Sequence, residues 1–454
     1  MQSFVGLCLL LGVGHLLRTH VRFLQRLYLP SSVLGGLIGL LVLQLADLGS
    51  APVPPEWTAG WSRLPGMLIN IVFACLFLGS QVPNVRTLWR RAGPQLAYGQ
   101  VVAWGQYVVG IGLTLVLLVP LFGVPEMFGA IVPVGFEGGH GTASGLAKTF
   151  DRMGWEQGKD FANASATAGI MSAIIVGMVL VNWAIRRGHT QVRKKPVSLD
   201  MMDLSGVIPR EKRPAAGRLP MSADAIESLT LQAVFIGVAV GIGWLLKQGL
   251  VVLAGAIGNE SFIVIAGGFP LFPLCMVGGL LVQIFEQKYD PHDLVDHGLM
   301  RRIQGISLDF LVVAAIATIN VRALIPALAP FAILVTAGIL WNVFCVTWLA
   351  RRLLPDTFFE RSIAEMGQSM GVTATGLVLL RVVDPDYETP AADAFASKQL
   401  LHEPFMGGGL WTSAAVPLIA QSGGLLVFGI ACGVSIAWVA LVVLVWRPRW
   451  KQAT

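Results

Sequence analysis

From end to end the chain alternates apolar runs with short polar joints, and the runs have about the 20-residue length that a helix needs to cross the hydrocarbon core of a bilayer. They fall near 3–17, 31–48, 64–83, 95–122 and 161–185 in the first half, and near 229–254, 262–285, 304–321, 327–354 and 400–420 in the second, with one more at 423–446. Backbone polar groups in lipid must be satisfied within the chain, so such runs are expected as helices. The fold class expected is therefore an all-α polytopic membrane protein: two inverted repeats of five transmembrane helices, each with a re-entrant hairpin, plus one extra C-terminal helix. Composition agrees, because 55% of the residues are hydrophobic and only 13% charged, where a soluble domain carries about 25% charged. The opening MQSFVGLCLLLGVGHLLR has no basic segment before its apolar run and no small-residue cleavage pattern, so it reads as a retained first helix. Five cysteines without CxxC spacing argue against a disulfide framework or a metal knot.

A net charge of +6 does not point to nucleic acid, since the Lys and Arg gather beside the apolar runs as cytoplasmic anchors do. Arg18, Arg22 and Arg26 follow the first run, and Arg86, Arg90 and Arg91 the third. The polar stretch after the fifth carries Arg186, Arg187, Arg193, Lys194 and Lys195. Placing these inside puts the N-terminus in the periplasm, and the count then places Arg301, Arg302, Arg351, Arg352 and the tail Arg447, Arg449 and Lys451 inside as well. The domain expectation is an N-terminal repeat over 1–185 with a hairpin at about 125–150, and a cytoplasmic linker over 186–228. A C-terminal repeat follows over 229–420 with a hairpin at about 358–380, then an extra helix and cytoplasmic tail over 421–454.

Two pairs of segments match across the halves in the same order: PSSVLGGL from position 30 with PLCMVGGL from 273, and TASGL from 142 with TATGL from 373. Repeats with an odd number of crossings must be inverted in the membrane, an arrangement that secondary transporters use to build a midplane site.

The stretch GFEGGHGTASGLAKTF at 135–150 is a poor continuous helix, because each glycine costs roughly 1 kcal/mol relative to Ala. By the topology it begins and ends outside, so it is expected to enter the membrane, turn and leave, with irregular backbone shielded by protein or lining a wet cavity. Its counterpart, containing GQSMGVTATG at 367–376, starts and ends inside. At such tips glycine lets a ligand approach the backbone, broken-helix N-termini attract carboxylates, and hydroxyls and carbonyls offer hard oxygen ligands. The substrate-binding candidates are Gly138, Gly139, His140, Gly141, Thr142 and Ser144 on the first tip and Gly371, Thr373 and Thr375 on the second. The ion-binding candidates are Glu137, Asn163, Ser369 and Asp309. Each has a blander alternative. The small residues serve close helix packing. His140 is a substrate donor, a proton carrier or a satisfied tip residue. Glu137 binds a cation or sits solvated at the hairpin mouth, and Asp309 and Asn320 are end caps or ion ligands. Lys398, His402 and Glu403, at the start of the run 400–420, read as interfacial anchors.

A membrane enzyme using Glu137 and His140 as an acid/base pair is the rival class, but no HExxH or GxSxG appears. The absence of a Walker A string argues against direct ATP drive. A linker of about 40 residues is too short for a soluble signalling domain. The GGHGT string at 138–142, the inverted five-helix halves, the opposed hairpins and the central cytoplasmic loop together resemble the bacterial sodium/glutamate symporters, over about residues 1–420. That resemblance implies sodium-coupled uptake of L-glutamate, or of a related anionic amino acid or dicarboxylate, across the inner membrane by alternating access. It further implies Na+ as the coupling ion, no organic cofactor and a homodimer, with positions 138–142 as the first-hairpin part of the site. Proton-coupled carriage of another organic anion is the alternative. This chain departs from the family in having Ala374 directly after Thr373, where the family usually has proline. Neither tip holds an arginine, so the glycine N–H groups, His140, Thr142, Thr373 and Thr375 would read the substrate carboxylates, aided by Lys398.

The charge pattern predicts that, in a cysteine-free background, a single cysteine at position 2 reacts with an impermeant thiol reagent from outside while one at position 205 is protected. The reverse labelling would overturn the topology.

Overall fold

The structure, a computed structural model, describes residues 1–26, 29–48, 53–80, 85–192, 208, 210–222, 224–354, 356–384 and 388–446. Among these every regular element is a helix. In chain order the elements used below are α1 (Gln2–His20), α2 (Ser31–Leu48), α3 (Leu64–Ala74), α4 (Val85–Leu113), α5 (Ile131–Phe136), α6 (Gly139–Gly145), α7 (Gly158–Arg186), α8 (Ser228–Ile257), α9 (Glu260–Gly268), α10 (Phe272–Tyr289), α11 (His297–Ala317), α12 (Leu328–Phe344), α13 (Phe358–Ser369), α14 (Thr373–Val383), α15 (Ala391–His402), α16 (Leu410–Ser422) and α17 (Gly424–Leu441). Among the described residues six helical stretches are long and apolar enough to cross a membrane: Gln2–His20, Ala92–Phe122, Gly158–Arg186, Ser228–Ile257, Ile325–Leu353 and Gly424–Trp446.

Three expected runs are not single helices. The run 64–83 is helical only to Ala74 and then turns, and positions 81–84 lie outside the described residues. The run 262–285 is two helices, α9 and α10, because GGFP at 267–270 interrupts it and Pro270 has no N–H to continue the ladder. The run 400–420 is divided between α15 and α16 by glycines 407–409, with Gly408 at φ +86°, a region glycine enters without the steric cost of a side chain. Of the charges used for topology, Arg193, Lys194, Lys195, Arg447, Arg449 and Lys451 lie outside the described residues.

The helices group into two compact units. Unit one comprises 1–83, 144–152 and 200–319, hence α1–α3 and α8–α11. Its close approaches fall on the paired glycines of the two matching segments. A Cβ at Gly35 would lie 2.5 Å from the Leu10 carbonyl oxygen of α1, and one at Gly278 would lie 2.1 Å from the Ala239 carbonyl oxygen of α8. The second glycine of each pair faces a different partner: Gly36 meets Ile316 of α11, and Gly279 meets the Ala74 carbonyl of α3. Small residues at these crossings let backbones come within van der Waals contact, which is how helices associate in lipid. Where α9 ends, Lys247 of α8 donates to the carbonyls of Ala266, Gly267 and Phe269, and Arg152 also donates to Gly267. The last carbonyls of a helix lack intrahelical partners and carry its negative end. A lysine in the middle of an apolar helix is thus explained by the broken helix beside it.

Unit two comprises 84–143, 153–199 and 320–454, hence α4, α5, α7, α12–α17 and α6 as far as Ala143. Both long helices α4 and α12 run on through a π-helical turn, Thr114–Leu118 and Cys345–Leu349 respectively. Helix α7 is packed by its small residues: Gly135 of α5 lies against the Ala162 carbonyl, and Gly169 lies against Phe136 and the Met370 carbonyl. Helix α17 starts where Glu126 accepts from the Gly424 N–H at 2.6 Å, and Trp438 near its end and Trp446 beyond it pack at a tilt against Trp89 of α4.

Replacing Lys247 with Met should leave the Ala266 and Phe269 carbonyls without their donor and lower stability by about 1–3 kcal/mol. A thermal unfolding midpoint in detergent unchanged from the natural protein would show that the lysine has no such role.

Candidate functional site

The polar residues of interest collect in unit two. The first glycine-rich segment is built from α5 and α6, with Glu137 and Gly138 turning between them. Gly139 has φ +64° and carries the backbone requirement of the motif; Gly141 lies inside α6 without a positive φ. His140 is 3% exposed, and its Nε2 lies 2.9 Å from Thr167 Oγ1 of α7. Thr167 already donates its one hydroxyl proton to the Asn163 carbonyl at 3.0 Å. His140 Nε2 therefore carries the donated proton. Asn163 enters through that carbonyl, its own side-chain amide bonding to the Lys159 carbonyl.

The second segment is α13, a break at 370–372, and α14. Its two arms touch at glycines, since a Cβ at Gly367 would stand 2.6 Å from the Gly376 Cα. Ser369 and Thr375 are buried, Thr373 half-buried. The tips approach each other and a third loop. A Cβ at Gly139 would be 3.9 Å from Val372 Cγ1, and one at Gly408 would clash with Thr142 Oγ1. Thr142 Oγ1 is buried without a hydrogen-bond partner, and beside it the carboxyl of Glu137 and the hydroxyl of Ser369 face each other.

Behind the tips lies a continuous polar network. Lys398 is 0% exposed and donates to Glu365 Oε1 at 2.5 Å, Gln368 Oε1 at 3.0 Å and Gln399 Oε1 at 2.9 Å. Gln368 passes its amide N–H to Glu137 Oε2 at 3.0 Å, and Gln95 of α4 donates to Glu365 Oε2 at 2.9 Å. Gln399 donates to Thr373 Oγ1 at 2.6 Å and to Glu403 Oε2 at 3.0 Å. His402, also 0% exposed, lies 3.2 Å from both Gln100 Nε2 and Glu137 Oε2. The Trp104 indole N–H, a donor only, bonds to Gln100 Oε1 at 2.9 Å, which fixes that amide's orientation. Gln100 Nε2 then donates to His402 Nδ1, and His402 gives its Nε2 proton to Glu137. The histidine is the neutral tautomer.

These contacts correct two expectations. Lys398, His402 and Glu403 are not interfacial anchors but the centre of the network, at the end of α15 and just beyond it rather than at the start of a helix. Their spacing was the available signal, since 398 and 402, like 399 and 403, share a helix face. Glu137 is 5% exposed and not solvated at a mouth. Asp309 is exposed on α11 of unit one, and Ser144 is buried in the 144–152 part of that unit. Asn320 belongs to unit two, its backbone N–H donating to Asp160 at 3.1 Å. The sequence reading missed Glu365, Gln368, Gln399 and the α4 residues Gln95, Gln100 and Trp104.

The chemistry available follows from the charges. The ammonium of Lys398 is matched by Glu365, while Glu137 and Glu403 receive only neutral donors. Carboxylates withdrawn from water are costly until a cation answers them. Among the described residues no three His, Cys, Asp or Glu side chains are grouped to hold a metal ion, so a cation here would also need hydroxyl and carbonyl oxygens.

A model of the sodium/glutamate symporter family matches residues 1–388. The sodium/glutamate symporter of Escherichia coli (strain K12) is 24% identical over 388 residues, covering 84% of this chain and 88% of that protein. The sodium/glutamate symporter of Shigella flexneri matches equally, at 24% identity over 388 residues. The matched family span ends before α15.

Replacing Lys398 alone with Met should leave Glu365 as an unpaired buried charge and cost about 3–5 kcal/mol. Removing both charges, as Lys398→Met with Glu365→Leu, should recover most of that in thermal unfolding. A single variant as stable as the natural protein would show that the pair does not hold the network.

Proposed function

We propose that this chain, which belongs to the sodium/glutamate symporter family, takes up L-glutamate or a closely related anionic amino acid or dicarboxylate with Na+, across the inner membrane by alternating access. The family is one of transporters, not enzymes, and six helical stretches suited to crossing a bilayer fit a multi-pass membrane protein. The observation that carries the reading to a site is the meeting of two glycine-broken segments beside the buried Glu137–Ser369 pair and the unpartnered hydroxyl of Thr142. Buried polar groups are normally satisfied; a ligand that arrives and leaves would satisfy that hydroxyl.

In this reading Gly138, Gly139, His140, Gly141 and Thr142 of the first tip and Gly371, Thr373 and Thr375 of the second hold the substrate. Glu137 and Ser369 offer oxygens to the ion. Asn163 supports His140 through Thr167. Asp309 and Ser144, both assigned to unit one, are left out of the site. Both glycine-broken segments act as re-entrant hairpins in inverted repeats, with the N-terminus in the periplasm and the C-terminus in the cytoplasm. Support for the repeat comes from Gly35 and Gly278, each set against a backbone carbonyl of the first helix of its half, and from the π-helical turns of α4 and α12. Coupling to sodium has an electrostatic reason. Glutamate brings a net negative charge into a network that already holds more carboxylates than cations, so cations entering with it lower the cost of burying that charge.

Purified protein should be stabilised in a thermal-shift screen by L-glutamate only when Na+ is present. Stabilisation by another anion would change the substrate, and stabilisation independent of sodium would overturn the coupling. Gly139→Val should abolish sodium-driven uptake into liposomes while the protein remains folded, because a β-branched residue resists positive φ. Undiminished uptake would remove the tip from the site.

A further inference from the structure

We propose that Glu403 receives the ammonium group of the transported amino acid, so that the carrier prefers amino acids to dicarboxylates without an amine; this rests on reading the two tips as the substrate site. Glu403 follows the last residue of α15 and precedes the break at 407–409, beyond the span matched by the family model. Its carboxylate is tied to the second tip, accepting from Gln399 Nε2 at 3.0 Å and from Thr373 Oγ1, the first residue of α14, at 3.4 Å.

The three acidic side chains of the network differ in what answers them and in whether they can be reached. Glu365 is 0% exposed and pairs with Lys398. Glu137 is buried and accepts from Gln368 and His402. Glu403 is only half-buried, and the three protons of Lys398 go to Glu365, Gln368 and Gln399, leaving none for it. The reachable carboxylate thus accepts no hydrogen bond from a cation, and Lys398 acts on it only through its nearby charge. Beside it stands the N-terminal turn of α14, the positive end of an eleven-residue helix. A carboxylate next to a helix N-terminus is the complement of a zwitterionic amino-acid head, ammonium on the one and α-carboxylate on the other. The unpartnered Thr142 Oγ1, 0% exposed and directed at Gly408, supplies a further polar group between the first tip and this loop. A carboxylate in this position also serves as a cation ligand, and the experiment separates an organic ammonium from Na+.

Binding of L-glutamate and of glutarate, which lacks the amine, is measured on the purified full-length protein across a sodium titration, for the natural chain and for Glu403→Gln. The natural chain should prefer L-glutamate. Glu403→Gln should weaken L-glutamate about 10- to 100-fold, the range of one charge-assisted hydrogen bond. Glutarate affinity and its sodium dependence should stay within twofold, which also certifies a folded site. An equal loss for both ligands, or a shift in the sodium needed for glutarate, would overturn the role of Glu403 while leaving the transporter reading intact. A natural chain that binds neither anion in sodium would overturn the transporter reading and Glu403 with it. Glu403→Asp serves if the Gln variant does not fold: it should keep the amine preference in reduced form, and an undiminished preference together with weakened sodium binding would overturn the proposal.

Discussion

Lys398 presents three protons, and each has an acceptor on a different side chain, from Glu365 and Gln368 of α13 and from Gln399 of its own helix. An ammonium in a low-dielectric interior is tolerable only when it is paired and fully hydrogen-bonded, so the position of this one group ties α13 to α15. Gly99 of α4 shows how tightly: a Cβ there would be 2.5 Å from both Glu365 Oε1 and Lys398 Cε. From the same centre, Gln368 reaches the first tip at Glu137, and Gln399 reaches the second at Thr373. Both glycine-broken segments are therefore positioned by amides that a single lysine orients.

The arrangement uses glutamine where charge would be expensive. An amide has a donor end and an acceptor end, so it carries a bond onward without adding a charge to the interior. Gln100 of α4 acts in this way between Trp104 and His402, while Gln95 and Gln106 of the same helix donate to Glu365 and to the Ser369 carbonyl without adding a charge. The carboxyl side chains of Glu137 and Glu403 stand close to the tips.

Much of the helical plan was legible because apolar length and glycine pairing are local properties. The runs of α1, α2, α7 and α8, and the paired glycines at 35–36 and 278–279, stand in the sequence as they stand in the structure. The break at 403–409 was not read, because the apolar residues on either side mask three consecutive glycines when hydropathy is averaged. The network was least legible. Glu365 and Gln95 are 270 positions apart, and nothing local in FFERSIAEMGQS says which polar side chains turn inward. Lys398 misled for a physical reason: a lysine near the end of an apolar run usually extends to the interface, and only its tertiary neighbours reveal that it is enclosed. In a chain with so few charges, an unexplained acidic residue such as Glu365 was itself a signal.

The chain of bonds from Trp104 through Gln100 and His402 to Glu137 runs in one direction, donor to acceptor at every step. At its far end is an indole N–H, which does not give up its proton, and next to it an amide, which does not either. A histidine between two such groups and a carboxylate invites comparison with a proton wire, but this wire is insulated on one side. Protons arriving at Glu137 have no onward path along this line of side chains.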